Sequence, residues 1–203
     1  MIDAKSPRFG LPASLWIPIA SASVAGVEMF VGRIEHRLTD PRSGRVNAVL
    51  VETRSGNVAK EPDVPLWKSP LARSAVERLY PAKQVWVHVD YGDYRQAYID
   101  FGMPAIPPNH FLDHVQNRIA IRLRNNSHPY LRLCPVDRRV NTSGGHRAGG
   151  EGMEKEFLAS RPTPQAQHTI IYADPMDLTK MLNIPPGTQV LDGVRDTQRL
   201  FYP

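Results

Sequence analysis

Short apolar runs separated by turn-forming residues predict brief helices and strands along the chain. Within residues 24–38 the apolar side chains have helical spacing, although their β-branched content leaves a strand open. Residues 85–89 alternate valines with Trp86 and His88, which is typical of a half-buried strand. Further strands are predicted at residues 46–51, 94–101, 130–136 and 168–172, and helices at residues 69–79, 137–141, 153–159 and 174–182. This mixture predicts an α+β fold with an antiparallel sheet.

The length and the cysteine content limit the class of protein. A chain of 203 residues buries enough apolar surface for one compact domain without disulfides or a structural metal. Cys134 is the single cysteine, which excludes an internal disulfide and a cysteine zinc cluster. Its apolar neighbours indicate a buried structural thiol rather than a nucleophile. The 19 prolines predict a loop-rich chain with short elements.

Residues 9–27 carry no charge and therefore resemble a signal or membrane-spanning segment at first reading. Pro12 and Pro18 interrupt the apolar stretch, and two prolines make a poor spanning helix. We expect an extended, partly buried segment in a cytoplasmic protein that does not contact the membrane. Secretion by a signal-independent route is the alternative.

The positive charge is concentrated in one part of the chain. Residues 109–148 contain seven arginines and two acids, which together account for the whole net charge of +5. Four of the seven histidines lie in the same window. Because the planar guanidinium group binds phosphate oxygens through two parallel hydrogen bonds, an all-arginine basic segment favours phosphate recognition. A solvated basic face is the alternative interpretation.

The strongest group of chemically able residues combines Asp113, His114, Asn141 and His146. Metal-assisted phosphodiester hydrolysis needs a ligand for a divalent cation, an imidazole that deprotonates water, and cations near the scissile phosphate. Residues 110–115 are predicted to form a strand or a short helix. Adjacent residues of a strand point to opposite faces, so one of the pair can bind metal while the other reaches water. An amide oxygen on the following helix can complete the metal site.

The segments FLDHV, YLRLCPV and DRRVN, in that order and with a loop between the first two, resemble the strand, loop, strand and helix of the His-Me finger nucleases, also called HNH or ββα-metal nucleases. The resemblance is to the endonuclease VII type and covers residues 109–150. It implies that His114 is the general base and that Asp113 and Asn141 bind the metal. It also implies that His146 is an extra ligand or a phosphate contact. The paired cysteines that bind structural zinc in many members are absent here.

These observations predict a metal-dependent endonuclease that hydrolyses phosphodiester bonds of DNA, in the role of a bacterial toxin or defence component. The expected cofactor is Mg²⁺, with Mn²⁺, Ni²⁺ or Zn²⁺ as alternatives. The arginines expected to bind phosphates are Arg118, Arg138, Arg139 and Arg147. Residues 1–203 are predicted to form a single domain: a supporting α+β region at residues 1–95, an embedded ββα-metal-like core at residues 96–160, and a strand–helix extension at residues 161–203.

Two other classes of function are consistent with the same residues. The arginine-rich segment 118–147 can serve a non-catalytic nucleic-acid-binding or assembly subunit by neutralising phosphates. The five glycines within residues 144–152 predict a loop that a protein partner orders on contact. The composition does not separate a nuclease, a binding subunit and a partner-dependent toxin. Turnover of nucleic acid separates the nuclease from the binding subunit, and assembly with a partner separates the toxin.

Overall fold

The computed structural model describes residues 17–54, 77–122, 126–142, 169–173 and 175–183. The strands are β1 (Pro18–Ser21), β2 (Gly32–Thr39), β3 (Val46–Thr53), β4 (Lys83–His88), β5 (His110–His114), β6 (Tyr130–Asp137) and β7 (Ile170–Tyr172). The helices are α1 (Val24–Phe30), α2 (Tyr94–Asp100), α3 (Arg118–Arg122), α4 (Arg138–Thr142) and α5 (Pro175–Leu182). None of these helices is long and apolar enough to span a membrane.

The strands form one antiparallel sheet in the order β2, β3, β4, β6, β1 and β7, and β5 pairs with β6 outside this sequence of neighbours. Helices combined with an antiparallel sheet confirm the predicted α+β class. Strand β6 holds the sheet together because it has three partners. Its first residues pair with β4 and with β1, where Leu131 lies opposite both Val87 and Ala20. Its remaining residues pair with β5, from His114 opposite Leu133 to His110 opposite Asp137.

The core lies on both faces of the sheet, because successive side chains of a strand point to opposite sides. On one face, Leu50 of β3 and Val87 of β4 pack against helix α2 and against Leu112 of β5. On the other face, Val49 and Trp86 pack against helix α1. A third cluster joins β1, β6 and β7 to helix α5. The hairpin of β5 and β6 is therefore supported by packed layers rather than projecting from the sheet.

Residues 24–38 divide into a helix and a strand, whereas their spacing favoured a helix throughout. Helix α1 begins at its cap residue Ser23, whose side chain accepts a hydrogen bond from the Gly26 N–H, and it ends at Phe30. Strand β2 then starts at Gly32. A Cβ atom at Gly32 would overlap the backbone carbonyl of Glu52, so only glycine allows the two strands to approach this closely. The β-branched residues after Gly32 adopt the strand that their side chains prefer.

The predicted strand at residues 94–101 is wrong, because these residues form helix α2. Three of its side chains, Tyr94, Ala97 and Tyr98, and that of Phe101 directly after the helix belong to the same core cluster or pack against it. Their spacing of three and four residues is the spacing of one helix face. The aromatic content that favoured a strand instead supplies the apolar face of a helix.

Most other predicted elements agree with the structure. Strands β3 and β6 contain the predicted strands at residues 46–51 and 130–136. Strand β4 covers all but the last residue of the predicted strand at residues 85–89, and α5 matches the predicted helix at residues 174–182. Strand β7 covers the last part of the predicted strand at residues 168–172. Most of the helix predicted at residues 69–79, and all of that predicted at residues 153–159, lie outside the described residues.

Candidate functional site

Asp113 and His114 are the last two residues of strand β5, so the strand forms where the sequence predicted a strand or a short helix at residues 110–115. Strand β5 is followed by α3, then by β6, and then directly by helix α4, which contains Asn141. The order of strand, connection, strand and helix is therefore present. His114 lies opposite Leu133, and the hairpin hydrogen bonding extends one residue further, since the Val115 N–H donates to the Arg132 carbonyl.

The imidazole ring of His114 is buried, with 3% of the residue exposed. It packs edge-on against the ring of Tyr94, with 4.6 Å between the ring centroids. Burial lowers the pKa of His114 to about 4, although the nearby Asp113 carboxylate acts in the opposite direction. Its Nε2 atom has no hydrogen-bond partner among the described residues. At neutral pH the side chain is therefore an uncharged imidazole.

Both carboxylate oxygens of Asp113 are occupied. Oδ1 accepts a hydrogen bond of 2.8 Å from the His114 backbone N–H and lies 3.9 Å from His114 Nδ1. Oδ2 lies 2.7 Å from Nζ of Lys180, which also donates to the His114 carbonyl at 2.8 Å. Lys180 belongs to α5, 66 residues after His114, and no local pattern in the sequence linked it to Asp113. Its ammonium group is the cation that this carboxylate binds.

Asn141 lies on helix α4, at the other end of the hairpin from His114. The Arg138 N–H donates to the Asn109 carbonyl, so α4 starts beside the first residue of β5. Four residues of strand separate that point from His114, a distance of roughly 13 Å. Asp137 caps α4 by accepting from the Arg139 N–H at 2.8 Å, which confirms the predicted cap.

The oxygen atoms of Asp113 and Asn141 are hard ligands of the kind that Mg²⁺ prefers. The Lys180 ammonium shows that the Asp113 carboxylate accommodates a cation. Across the described residues, no group of three or more His, Cys, Asp or Glu side chains is close enough together to hold a metal. His146, the predicted extra ligand, lies outside the described residues. The oxygen donors therefore suit a divalent cation in chemistry, but such an ion would have to displace Lys180 from Asp113, and Asn141 would have to approach from the other end of the hairpin.

The arginines predicted to bind phosphates occupy different parts of the hairpin. Arg118 lies close enough to His114 to oppose its protonation, and its Nε donates to the Val89 carbonyl at 2.9 Å. Arg138 lies over the ring of Phe111, with 5.9 Å between its guanidinium carbon and the ring centroid. Arg139 is exposed and pairs with Asp137, and Arg147 lies outside the described residues.

Sequence reasoning missed a residue of the basic window that is not at the surface. Arg132 lies in strand β6 opposite Trp86 and is 1% exposed. The nearly continuous apolar run around it, Leu131, Leu133, Cys134 and Val136, is the signal that could have found it, because such runs are typical of strands that are buried on both faces. The arginine-rich segment therefore has an interior member as well as surface members.

No protein-family model matches the chain, and comparisons with curated proteins and with solved structures give no match. The case for a function therefore depends on the side chains of β5, β6 and α4 and on the residues that contact them.

Proposed function

We propose that this protein is a metal-dependent endonuclease that hydrolyses phosphodiester bonds of DNA. The observation that carries the proposal is the Asp113–His114 pair at the end of β5, in a hairpin with β6 that leads directly into the helix bearing Asn141. This order of elements is the one that the His-Me finger resemblance requires.

In this proposal His114 is the general base. A neutral imidazole accepts a proton from water, and burial keeps this ring neutral. The ring is 3% exposed, so water reaches Nε2 only when the packing against Tyr94 opens. The proposal therefore includes a local opening of the hairpin when substrate binds.

Asp113 and Asn141 would hold the cation, with His146 as a further ligand, and Mg²⁺ is the proposed ion. Because α4 starts at the other end of the hairpin, Asn141 would reach the ion at Asp113 only after α4 moves from its place beside Asn109. When bound, such an ion neutralises charge on the scissile phosphate. Binding of the ion requires Lys180 Nζ to leave Asp113 Oδ2. The released Lys180 ammonium, together with Arg118, would then neutralise phosphate oxygens beside the hairpin. Arg138, Arg139 and Arg147 would bind phosphates further along the strand.

The test is nicking of supercoiled plasmid with Mg²⁺, with Mn²⁺, Ni²⁺ or Zn²⁺, and with a chelator. His114→Ala should lower the nicking rate by about 100-fold or more, since a general base contributes that much. His36→Ala is the matched control, because His36 is an exposed histidine of β2 in the same protein. Circular dichroism and urea unfolding verify that each variant is folded. Cleavage at the wild-type rate by folded His114→Ala would eliminate this assignment.

A second candidate is a non-catalytic nucleic-acid-binding or assembly subunit. The ion pair between Lys180 and Asp113 favours it, as does the burial of His114, because both occupy the groups that catalysis would use. This candidate predicts binding that weakens steeply as salt increases, no turnover with any metal, and no effect of His114→Ala on affinity. Fluorescence anisotropy with a labelled duplex, measured over a range of salt concentrations, separates it from the nuclease.

A further inference from the structure

A cavity of about 650 Å³ lies beside the sheet. Leu133 and Cys134, the cross-strand partners of His114 and Asp113, line it, but Asp113 and His114 do not. Its walls come from residues 83–85 of β4, residues 132–135 of β6, the loop at residues 102–107, and Met181. A volume of this size suits a small organic molecule. None of the residues proposed for the nuclease lines it.

Much of the cavity wall is apolar. The apolar side chains around it include Val85, Tyr98, Met103, Leu133 and Met181. Cys134 also lines it, and burial raises the pKa of this thiol to about 11, so the sulfur is an uncharged part of the wall. These side chains suit the hydrocarbon part of a ligand.

Arg132 gives the same wall a buried positive charge. Its Nη2 donates to the Arg78 carbonyl over a long distance of 3.4 Å. Its Nε and Nη1 atoms are buried and have no hydrogen-bond partner in the part of the chain that the structure describes. Burial lowers the pKa of Arg132 to about 10, which leaves the guanidinium charged at neutral pH. No ion pair to a carboxylate is formed by Arg132 among the described residues.

A buried guanidinium without an anionic partner is unfavourable, because it has lost its hydration and gained no ion pair. The other charged side chains of the wall do not compensate for it. Arg78 and Lys83 add positive charge, Glu77 is the single carboxylate, and Lys83 is already paired with Glu35 at 2.8 Å. An oxyanion in the cavity would supply the missing partner of Arg132 once the wall opens onto its guanidinium group, because the arginine is 1% exposed in the ligand-free protein.

We propose that this cavity binds a small amphipathic anion, in which an apolar body fills the cavity and one carboxylate or phosphate group pairs with the guanidinium of Arg132. The pairing is charge-assisted, and the planar guanidinium offers two parallel N–H donors to either kind of oxyanion. The proposal is independent of the nuclease, since the two sites share no residue.

The experiment titrates the full chain with decanoate and with octyl phosphate, using calorimetry and thermal unfolding, with decanol as the uncharged probe. Both anions should bind the wild type more tightly than decanol does. The anion that binds more tightly shows whether the cavity prefers a carboxylate or a phosphate head group. Arg132→Met removes the charge but retains an apolar side chain. It should weaken binding of the anions about 10- to 100-fold and leave binding of decanol unchanged.

Ligand-free Arg132→Met should also unfold at a higher temperature than the wild type, because the unpaired buried charge is gone. A purely structural arginine would give the opposite shift. Arg37→Met is the matched control, since Arg37 is an exposed arginine of β2, and it should bind the anions like the wild type.

Ala105 provides a second test that does not alter the core, because it is exposed and lines the cavity. Ala105→Trp should narrow the cavity and lower the affinity for both anions at least 10-fold. Ala25→Trp, on the exposed side of α1, should leave the affinity for both anions unchanged. The proposal is overturned if the wild type binds neither anion, if it binds decanol as tightly as the anions, or if Arg132→Met and Ala105→Trp retain wild-type affinity.

Discussion

Protonation of His114 links the folding stability of this protein to pH. The folded protein holds the pKa of His114 at about 4, against an ordinary value of 6.5. Above pH 6.5 the ring is neutral in both the folded and the unfolded state, and it contributes no pH dependence. Below that pH the unfolded chain takes up a proton that the folded protein resists until about pH 4. The free energy of unfolding should therefore fall by about 3 kcal/mol across this interval, at roughly 1.4 kcal/mol per pH unit of difference.

The measurement is urea unfolding of the wild type and of His114→Asn between about pH 7.5 and about pH 4, followed by tryptophan fluorescence. Trp86 is fully buried and reports the unfolding of the sheet. At neutral pH the variant should be less stable than the wild type, because it disrupts the packing against Tyr94. As the pH falls, the difference should shrink by about 3 kcal/mol, since only the wild type must keep a buried histidine uncharged.

His88→Asn is the matched control. Burial also lowers the pKa of His88, but this side chain is less deeply buried than His114. The His88 variant should therefore retain most of the wild-type loss of stability in acid. Parallel pH profiles for the wild type and His114→Asn would show that the ring is hydrated or already protonated in the folded protein, and the reasoning about its burial would then be refuted.

Three further predictions concern the fold that supports both sites, and chemical denaturation measures each of them. Gly32→Ala should destabilise by about 1–3 kcal/mol because its Cβ overlaps the Glu52 carbonyl, whereas Gly92→Ala, which meets open space, should have little effect. Ser23→Ala should lower the free energy of unfolding by about 1 kcal/mol because the hydrogen bond that caps α1 is lost, whereas Ser23→Asp should keep the cap and most of the stability. Leu50→Ala should cost about 2–5 kcal/mol, against less than about 1.5 kcal/mol for Leu50→Met.

The sequence predicted those helices and strands that are specified by residues close together in the chain. Alternation identified β4, and the strand propensity of residues 130–136 identified β6. Asp137 was identified as a helix cap because a cap is a contact between residues two positions apart. Helix α2 was missed because aromatic side chains suit both a strand and a helix face, and the choice depends on the core that they meet.

The candidate site divides in the same way. Asp113 and His114 are adjacent in the sequence, so they are neighbours whichever element residues 110–115 form. The contact between Lys180 and Asp113 depends on how α5 packs against β5, which no local pattern specifies. The burial of Arg132 likewise depends on strand partners from β4 and β1 that are distant in the chain. Local patterns therefore identified the candidate catalytic residues, but not the distant residues that bind or bury their neighbours.

The three partners of β6 have a consequence for the order in which the protein is made. Strand β1 pairs with β6 and β7, whose first residues are Tyr130 and Ile170, so it waits for more than a hundred residues of synthesis before either partner exists. During that time β4 exposes the edge that β6, among the described strands, later covers. A chain released from the ribosome before residue 130 would present this edge and an unpaired apolar strand to other chains, so its fate is aggregation or proteolysis. The pairing of β1, β4 and β5 with their shared neighbour therefore waits until β6 has been made.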